Sequence, residues 1–97
     1  MFGEGQHNWG GPTGRVVVNI GARTDLPTSL IFMSESMMTR IVLEPDGRYH
    51  HYAREVFLQH GERHDLLVGH SGKREVEIRI NSYFFSPVEA PALLEEP

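Results

Sequence analysis

The chain has 97 residues and a mass of 11.0 kDa, a length that accommodates one domain. Cysteine is absent, which excludes disulfide scaffolds, Cys-ligated zinc and thiol catalysis. Nine basic residues stand against thirteen acidic ones, a formal net charge of −4. This balance argues against nucleic-acid binding, because neutralising phosphates requires a surplus of Lys and Arg.

No apolar run reaches the roughly 20 residues that a membrane-spanning helix requires. The first fourteen residues contain no basic residue and no apolar stretch, so they do not read as a secretory signal. We therefore expect a protein that does not enter membranes. Its expected location is cytoplasmic by default, with a virion or a secreted assembly left open.

Three segments differ in composition. Residues 1–14 hold five of the ten glycines and are predicted to form a flexible arm. Residues 15–86 are predicted to form a β domain, and residues 87–97 an acidic, proline-rich tail. Positions 15–85 contain nine basic and nine acidic residues, so the net negative charge belongs to the two ends.

Short runs of β-branched and aromatic residues, separated by turn residues, predict strands throughout the central segment. Segment 27–40 also allows a helix, because Leu30, Met33 and Met37 recur at helical spacing. We favour a strand there, followed by a loop at 34–38. The predicted strands cover 15–20, 29–33, 39–43, 49–58, 63–68 and 74–80.

Five to seven short strands predict an all-β fold, a small antiparallel β-sandwich of immunoglobulin-like or jelly-roll-like type, with a small β-barrel as the alternative. The runs 56–58, 66–68 and 76–80, with the turn at Gly61 and Glu62, are similar to the closing strands of bacterial immunoglobulin-like and fibronectin-like domains. That resemblance implies a sandwich rather than a barrel.

Aromatic residues near both ends of the β domain are the candidate partner-binding residues. Alternation places Ile80 and Phe84 inside, which leaves Tyr83 and Phe85 on the charged outer face. Either this strand twists beneath another element, or it presents an aromatic patch for docking. Trp9, isolated in the glycine-rich arm, either anchors a partner or folds back onto the core.

Histidine is abundant, with six residues, five of them between positions 50 and 70. Neutral imidazole is the commonest transition-metal ligand, so these residues could form a metal site. Adjacent strand residues point to opposite faces, however, so His50 and His51 cannot share one ion without a bulge. The alternative is that the histidines occupy exposed turns and outer faces. The candidate ligands are His50, His51, Glu55, His60, His64 and His70.

The run His50-His51-x3-Glu55, followed by Gly61-Glu62, resembles the first metal motif of the cupins, which have a double-stranded β-helix fold. The resemblance implies a divalent transition metal and a metal-binding protein or metal-dependent enzyme. It covers about fifteen residues. The two histidines are adjacent rather than separated by one residue, and no second motif follows.

The sequence contains no complete catalytic, phosphate-binding or dinucleotide-binding motif. We therefore expect a non-catalytic association or assembly module that binds itself or a protein partner, forming a homo-oligomer. A cupin-like metal protein is the alternative. A carbohydrate-binding surface using Tyr49, Tyr52 and Phe57 is a third possibility, although Tyr52 and Phe57 have opposite strand parity. Protonation of all six histidines would move the formal charge from −4 to +2, which could make association pH-dependent.

Overall fold

In the described part of the chain, seven strands form two antiparallel sheets that pack face to face. The computed structural model describes residues 7–69 and 76–88. The prediction of a small antiparallel β-sandwich is confirmed. Within the described residues, no helix is long and apolar enough to cross a membrane. The strands are β1 (His7–Asn8), β2 (Gly14–Thr24), β3 (Ser29–Ser34), β4 (Met38–Val42), β5 (His50–Leu58), β6 (Arg63–Gly69) and β7 (Ile78–Pro87).

The four-stranded sheet has the order β1-β6-β3-β4, and the three-stranded sheet has the order β5-β2-β7. The ambiguous segment 27–40 forms strand β3, a short loop and the start of β4, as favoured from the sequence. Leu30 and Phe32 are fully buried, whereas Ile31 is half-buried and Met33 is exposed. The strand-like alternation in this segment, rather than the helical spacing of its hydrophobic residues, therefore matches the structure.

The core lies between the two sheets and is built from alternate residues of each strand. Strand β2, central in its sheet, contributes Val18, Ile20 and Ala22, all with no exposed surface. Burial of a single large aliphatic side chain contributes about 1.5–3 kcal/mol. The remaining buried hydrophobic residues are Leu30, Phe32, Ile41, Leu43, Tyr52, Val56, Leu58 and Leu66.

A β-bulge interrupts the pairing of β2 with β7. Gly21 lies opposite Ser82, but the next residue, Ala22, lies opposite Ile80, so Asn81 is an extra residue on β7. An extra residue shifts the alternation by one position. As a result Ile80 and Tyr83, three residues apart, both point toward the core.

The bulge overturns the face assignment that strict alternation predicted for the end of β7. Tyr83 and Phe85 were expected on the outer face, but both are partly buried and pack against the core. Phe84, expected inside, is 50% exposed. The prediction is wrong because strict alternation does not continue through Asn81, where β7 contains one extra residue.

Gly21 allows the bulge to approach β2 closely. A Cβ atom at this position would overlap the side-chain oxygens of Asn81 and Ser82. The backbone angle of Gly21 is not in the left-handed region, so the requirement for glycine here is one of space. Alanine at this position would therefore require the ends of the Asn81 and Ser82 side chains to move.

We predict that Gly21→Ala lowers the free energy of unfolding by about 0.5–1.5 kcal/mol, because the added methyl group forces the ends of the Asn81 and Ser82 side chains out of their present rotamers. Adding Asn81→Ala should recover part of this loss. Gly10→Ala is the control, since nothing lies within 4 Å of a Cβ placed there. Urea denaturation measures all four proteins. A Gly21→Ala protein as stable as the wild type would contradict the argument.

Candidate protein-interaction surface

Five side chains form an aromatic cluster at one end of the sandwich, with Phe85 at its centre. The ring centroid of Phe85 lies 5.1 Å from that of His64 and 5.2 Å from that of Trp9. Tyr83 lies 5.8 Å away and Phe32 lies 6.0 Å away. These separations and the tilted or edge-on arrangements are typical of favourable aromatic packing. The cluster joins β7 to β3 and β6 across the two sheets.

Trp9 folds back onto the domain, which was one of the two alternatives for this residue. Its backbone N–H donates to the carbonyl of Glu62 (2.8 Å), and its carbonyl accepts from the N–H of Gly61 (2.7 Å). The indole Nε1 donates to the carbonyl of Pro12 (2.9 Å). Residues 7–14 are thus hydrogen-bonded in part, whereas the domain boundaries at 14 and 87 stay predictions.

The buried carboxylate of Glu62 connects the segments around Trp9. One oxygen accepts from the backbone N–H of Gln59 (2.8 Å). The other accepts from the N–H (3.1 Å) and the hydroxyl (2.9 Å) of Ser36, in the loop between β3 and β4. These bonds, first among them that from Gln59, hold the pKa of Glu62 below its ordinary value. The same residue provides the carbonyl that binds Trp9.

His64 is a titratable member of the aromatic cluster and is buried. Its ring stacks on Phe32 and on His7, each at a centroid distance of 5.9 Å. Among the described residues, Nδ1 of His64 has no hydrogen-bond partner. Burial, followed by the proximity of His7, lowers the pKa of His64 because both disfavour the charged imidazolium.

Tyr83 carries a second buried polar group without a hydrogen-bond partner among the described residues, its hydroxyl. Burial, with a further contribution from Asp65, raises the pKa of Tyr83 to about 12. The hydroxyl is therefore protonated at all physiological pH values. It has lost its hydration without gaining a bond within the described part of the chain, which is unfavourable for folding.

An apolar groove of about 350 Å³ runs beside the aromatic cluster. Its lining includes the apolar side chains of Trp9, Pro12, Val16, Phe85 and Pro87. Arg15, near the start of β2, also lines it. The groove therefore follows the end of β7 and exposes the parts of Trp9 and Phe85 that the core does not cover.

The outer edge of β7 is unpaired by any described strand. From Ile80 to Pro87 this strand carries no charged residue, and Phe84 projects from it. The one charged residue of β7, Arg79, lies before the bulge. Of the other sheet edges, β1 has two residues, β4 contains Arg40 at its middle, and β5 contains Arg54 and Glu55. Short edges and charged edges resist pairing with another chain, whereas a long uncharged edge favours it.

The structure places the four predicted partner-binding residues on two sides of one strand. Trp9, Tyr83 and Phe85 belong to the aromatic cluster, and Phe84 lies on the outer face of the sheet. Their role in binding a partner stays a prediction. The free edge was not evident from the sequence, because neither strand order nor pairing can be read from alternation alone.

The described members of the predicted metal set do not come together. In residues 7–69 and 76–88, no group of three His, Asp or Glu side chains could hold a metal ion. His50 contacts Asp46 (2.9 Å) in the preceding turn, and His51 contacts the Asn19 side chain (3.0 Å) on the outer face. His60 Nδ1 lies 2.8 Å from the carbonyl of Gly11.

Two further members of that set have other surroundings. Glu55 pairs with Arg15 at 2.8 Å, and His64 lies in the aromatic cluster. His70 lies outside the described residues. The short cupin-like run therefore places its ligands on different faces and turns. The predicted carbohydrate-binding surface lacks one of its three residues. Tyr52 is buried, and its hydroxyl accepts from the N–H of Glu44 (2.8 Å).

Sequence reasoning overlooked a second apolar area, on the outer face of the four-stranded sheet. Met33 on β3 and Met38 on β4 are directly opposite and exposed, and Val42 is 67% exposed. The signal was present, because the alternation that buries Leu30 and Phe32 must turn Met33 outward. Arg40 lies between Met38 and Val42 on β4, so charge interrupts this area.

Comparison of the chain with protein-family models, with curated proteins and with solved structures found no match. Function must therefore be argued from the chemistry of the surface itself. Two features distinguish the end of β7 from the rest of the described surface: an uncharged free edge and an adjoining apolar groove.

We predict that stability decreases as the pH falls below about 6.5, because His64 is protonated more readily in the unfolded chain. The contribution of neutral His64 to the free energy of unfolding is fully present above that pH. It is lost as the pH falls toward the lowered pKa of His64 in the folded chain. The slope is at most about 1.4 kcal/mol per pH unit. His64→Phe should remove this component.

Urea denaturation between about pH 7.5 and 5 tests this prediction. Asp46 and Glu62 do not interfere, because their pKa values are lowered from 3.8 and 4.5 and their contribution is lost only at more acidic pH. An unchanged slope in the His64→Phe protein would show that another group is responsible.

We also predict that Tyr83→Phe leaves the free energy of unfolding unchanged or raises it by about 1 kcal/mol, because it removes an unpartnered buried hydroxyl. Tyr52→Phe is the matched control. It should lower that free energy by about 1–3 kcal/mol, because the N–H of Glu44 loses its acceptor. Equal losses in the two variants would contradict the prediction.

Proposed function

We propose that this protein is a non-catalytic association module whose contact surface is the free edge of β7 with the adjoining aromatic cluster. The observation that supports this most directly is the uncharged stretch from Ile80 to Pro87 on an edge unpaired by any described strand. Unpaired backbone groups on such an edge are a template for an added strand.

The side chains around this edge suit the same role. Phe84 is exposed on one face of the strand, and Trp9, Tyr83 and Phe85 are partly exposed on the other. Large aromatic residues that are partly covered gain most from a partner, because they bury much apolar area at little cost in side-chain entropy. An added strand would contact aromatic groups on both of its faces.

The charge distribution also supports association. Residues 15–85 are formally neutral, and the excess negative charge lies toward the two ends of the chain. A neutral body presents little long-range repulsion to a partner or to a second copy, and acidic ends favour solubility. The partner that fits is an extended, uncharged or weakly charged protein segment.

We predict that Phe84→Ser weakens association about ten-fold, because it removes the exposed aromatic group from the edge. Phe57→Ser is the matched control, since Phe57 is 44% exposed on the opposite edge strand of the same sheet. Solution mass across a concentration series and capture of binding proteins by the immobilised chain are measured for both variants and the wild type.

Both variants should unfold at similar urea concentrations, since each replaces an exposed side chain. A wild-type chain that stays monomeric and captures no protein would contradict the proposed function. Equal loss of association in the two variants would place the contact surface elsewhere.

A further inference from the structure

We propose that the segment that pairs with β7 is β7 of a second copy, antiparallel about a two-fold axis at Phe84. The two three-stranded sheets would then form one continuous six-stranded sheet. This inference rests on the proposed function and specifies its partner. Its basis is the set of backbone groups that the strand presents at its free edge.

The hydrogen bonds of β2 indicate which residues of β7 face outward along the edge. In an antiparallel sheet both backbone groups of a residue point to the same neighbour, and successive residues alternate. The carbonyl of Thr24 accepts from the N–H of Gly47 on the β5 side (2.9 Å). Counting back by twos from Thr24, Ile20 and Val18 also point toward β5, so Asn19 and Val17 between them point toward β7.

Asn19 lies opposite Phe84, and Val17 lies opposite Ser86. Phe84 and Ser86 therefore direct their backbone groups at β2. Tyr83 precedes Phe84, and Phe85 lies between Phe84 and Ser86. The backbone groups of Tyr83 and Phe85 therefore point to the free edge. The edge thus offers two donors and two acceptors within the uncharged stretch.

A two-fold axis restricts the possible registers. If Tyr83 pairs with Phe85 of the second copy, the reciprocal pair forms as well, giving four backbone hydrogen bonds. If the axis moved to Tyr83, the hydrogen-bonded pairs would include Asn81 in the bulge. If it moved to Phe85, they would include Pro87, which has no N–H. The register centred on Phe84 avoids both.

The side chains agree with this register. Phe84 meets Phe84 of the second copy at a non-hydrogen-bonded position, where side chains approach most closely. Tyr83 and Phe85 are apposed on the inner face, where their exposed parts become covered.

The absence of cysteine makes cross-linking a direct test. In the proposed pair the Cα atoms at position 84 are about 4.5 Å apart, within the range that a disulfide spans. Phe84→Cys should form a covalent dimer under mild oxidation, released by dithiothreitol. Phe57→Cys, equally accessible but on the far edge, should form at least ten-fold less.

A second variant keeps Phe84 in place. Ser82 lies opposite Ser86 of the second copy in this register, so Ser82→Cys combined with Ser86→Cys should also cross-link two chains. Within one chain these two residues are about 13 Å apart along the strand, too far for a disulfide. The wild type should have twice the 11.0 kDa mass of one chain in solution.

Equal cross-linking at positions 84 and 57, or a monomeric wild type, would overturn the two-fold pairing. A monomeric wild type that captures another protein only when Phe84 is present would leave the proposed function standing. A monomeric wild type that captures nothing would overturn both.

Discussion

The β-bulge at Asn81, which lies against Gly21, is the constraint on which the arrangement of side chains at the end of β7 depends. Without the extra residue, Phe84 would enter the core, and Tyr83 and Phe85 would face solvent. With it, the first part of β7 contributes Ile78 and Ile80 to the core and the last part contributes aromatic residues. One inserted residue thus decides which side chains pack inside and which remain at the surface.

A second set of contacts covers the side of the aromatic cluster that the core leaves uncovered. Trp9 covers Phe85, and its backbone is bonded to Gly61 and Glu62 at the turn before β6. The carboxylate of Glu62 is itself bonded to Ser36 and Gln59. Buried carboxylates are stable only with several donors, and here those donors connect two loops. The cluster is therefore supported by a polar network at one end of the sandwich.

The sequence permits much of the fold to be predicted and less of the surface. Alternation correctly assigned β3, because Leu30 and Phe32 face the core throughout a regular strand. It failed after Ile80, because a bulge adds a residue without adding a distinctive sequence signal. The separation of His50 from His51 followed from strand geometry, whereas the packing of Trp9 depends on contacts far along the chain.

The unequal edges of the three-stranded sheet determine how far pairing can extend. A two-fold contact through β7 uses the same edge of both copies and leaves none of it available. The outer edges of the resulting sheet would be the two β5 strands, which carry Arg54 and Glu55. Charges at those positions disfavour the addition of a further strand. In the proposed pair, these charged outer edges would therefore oppose growth into a fibre.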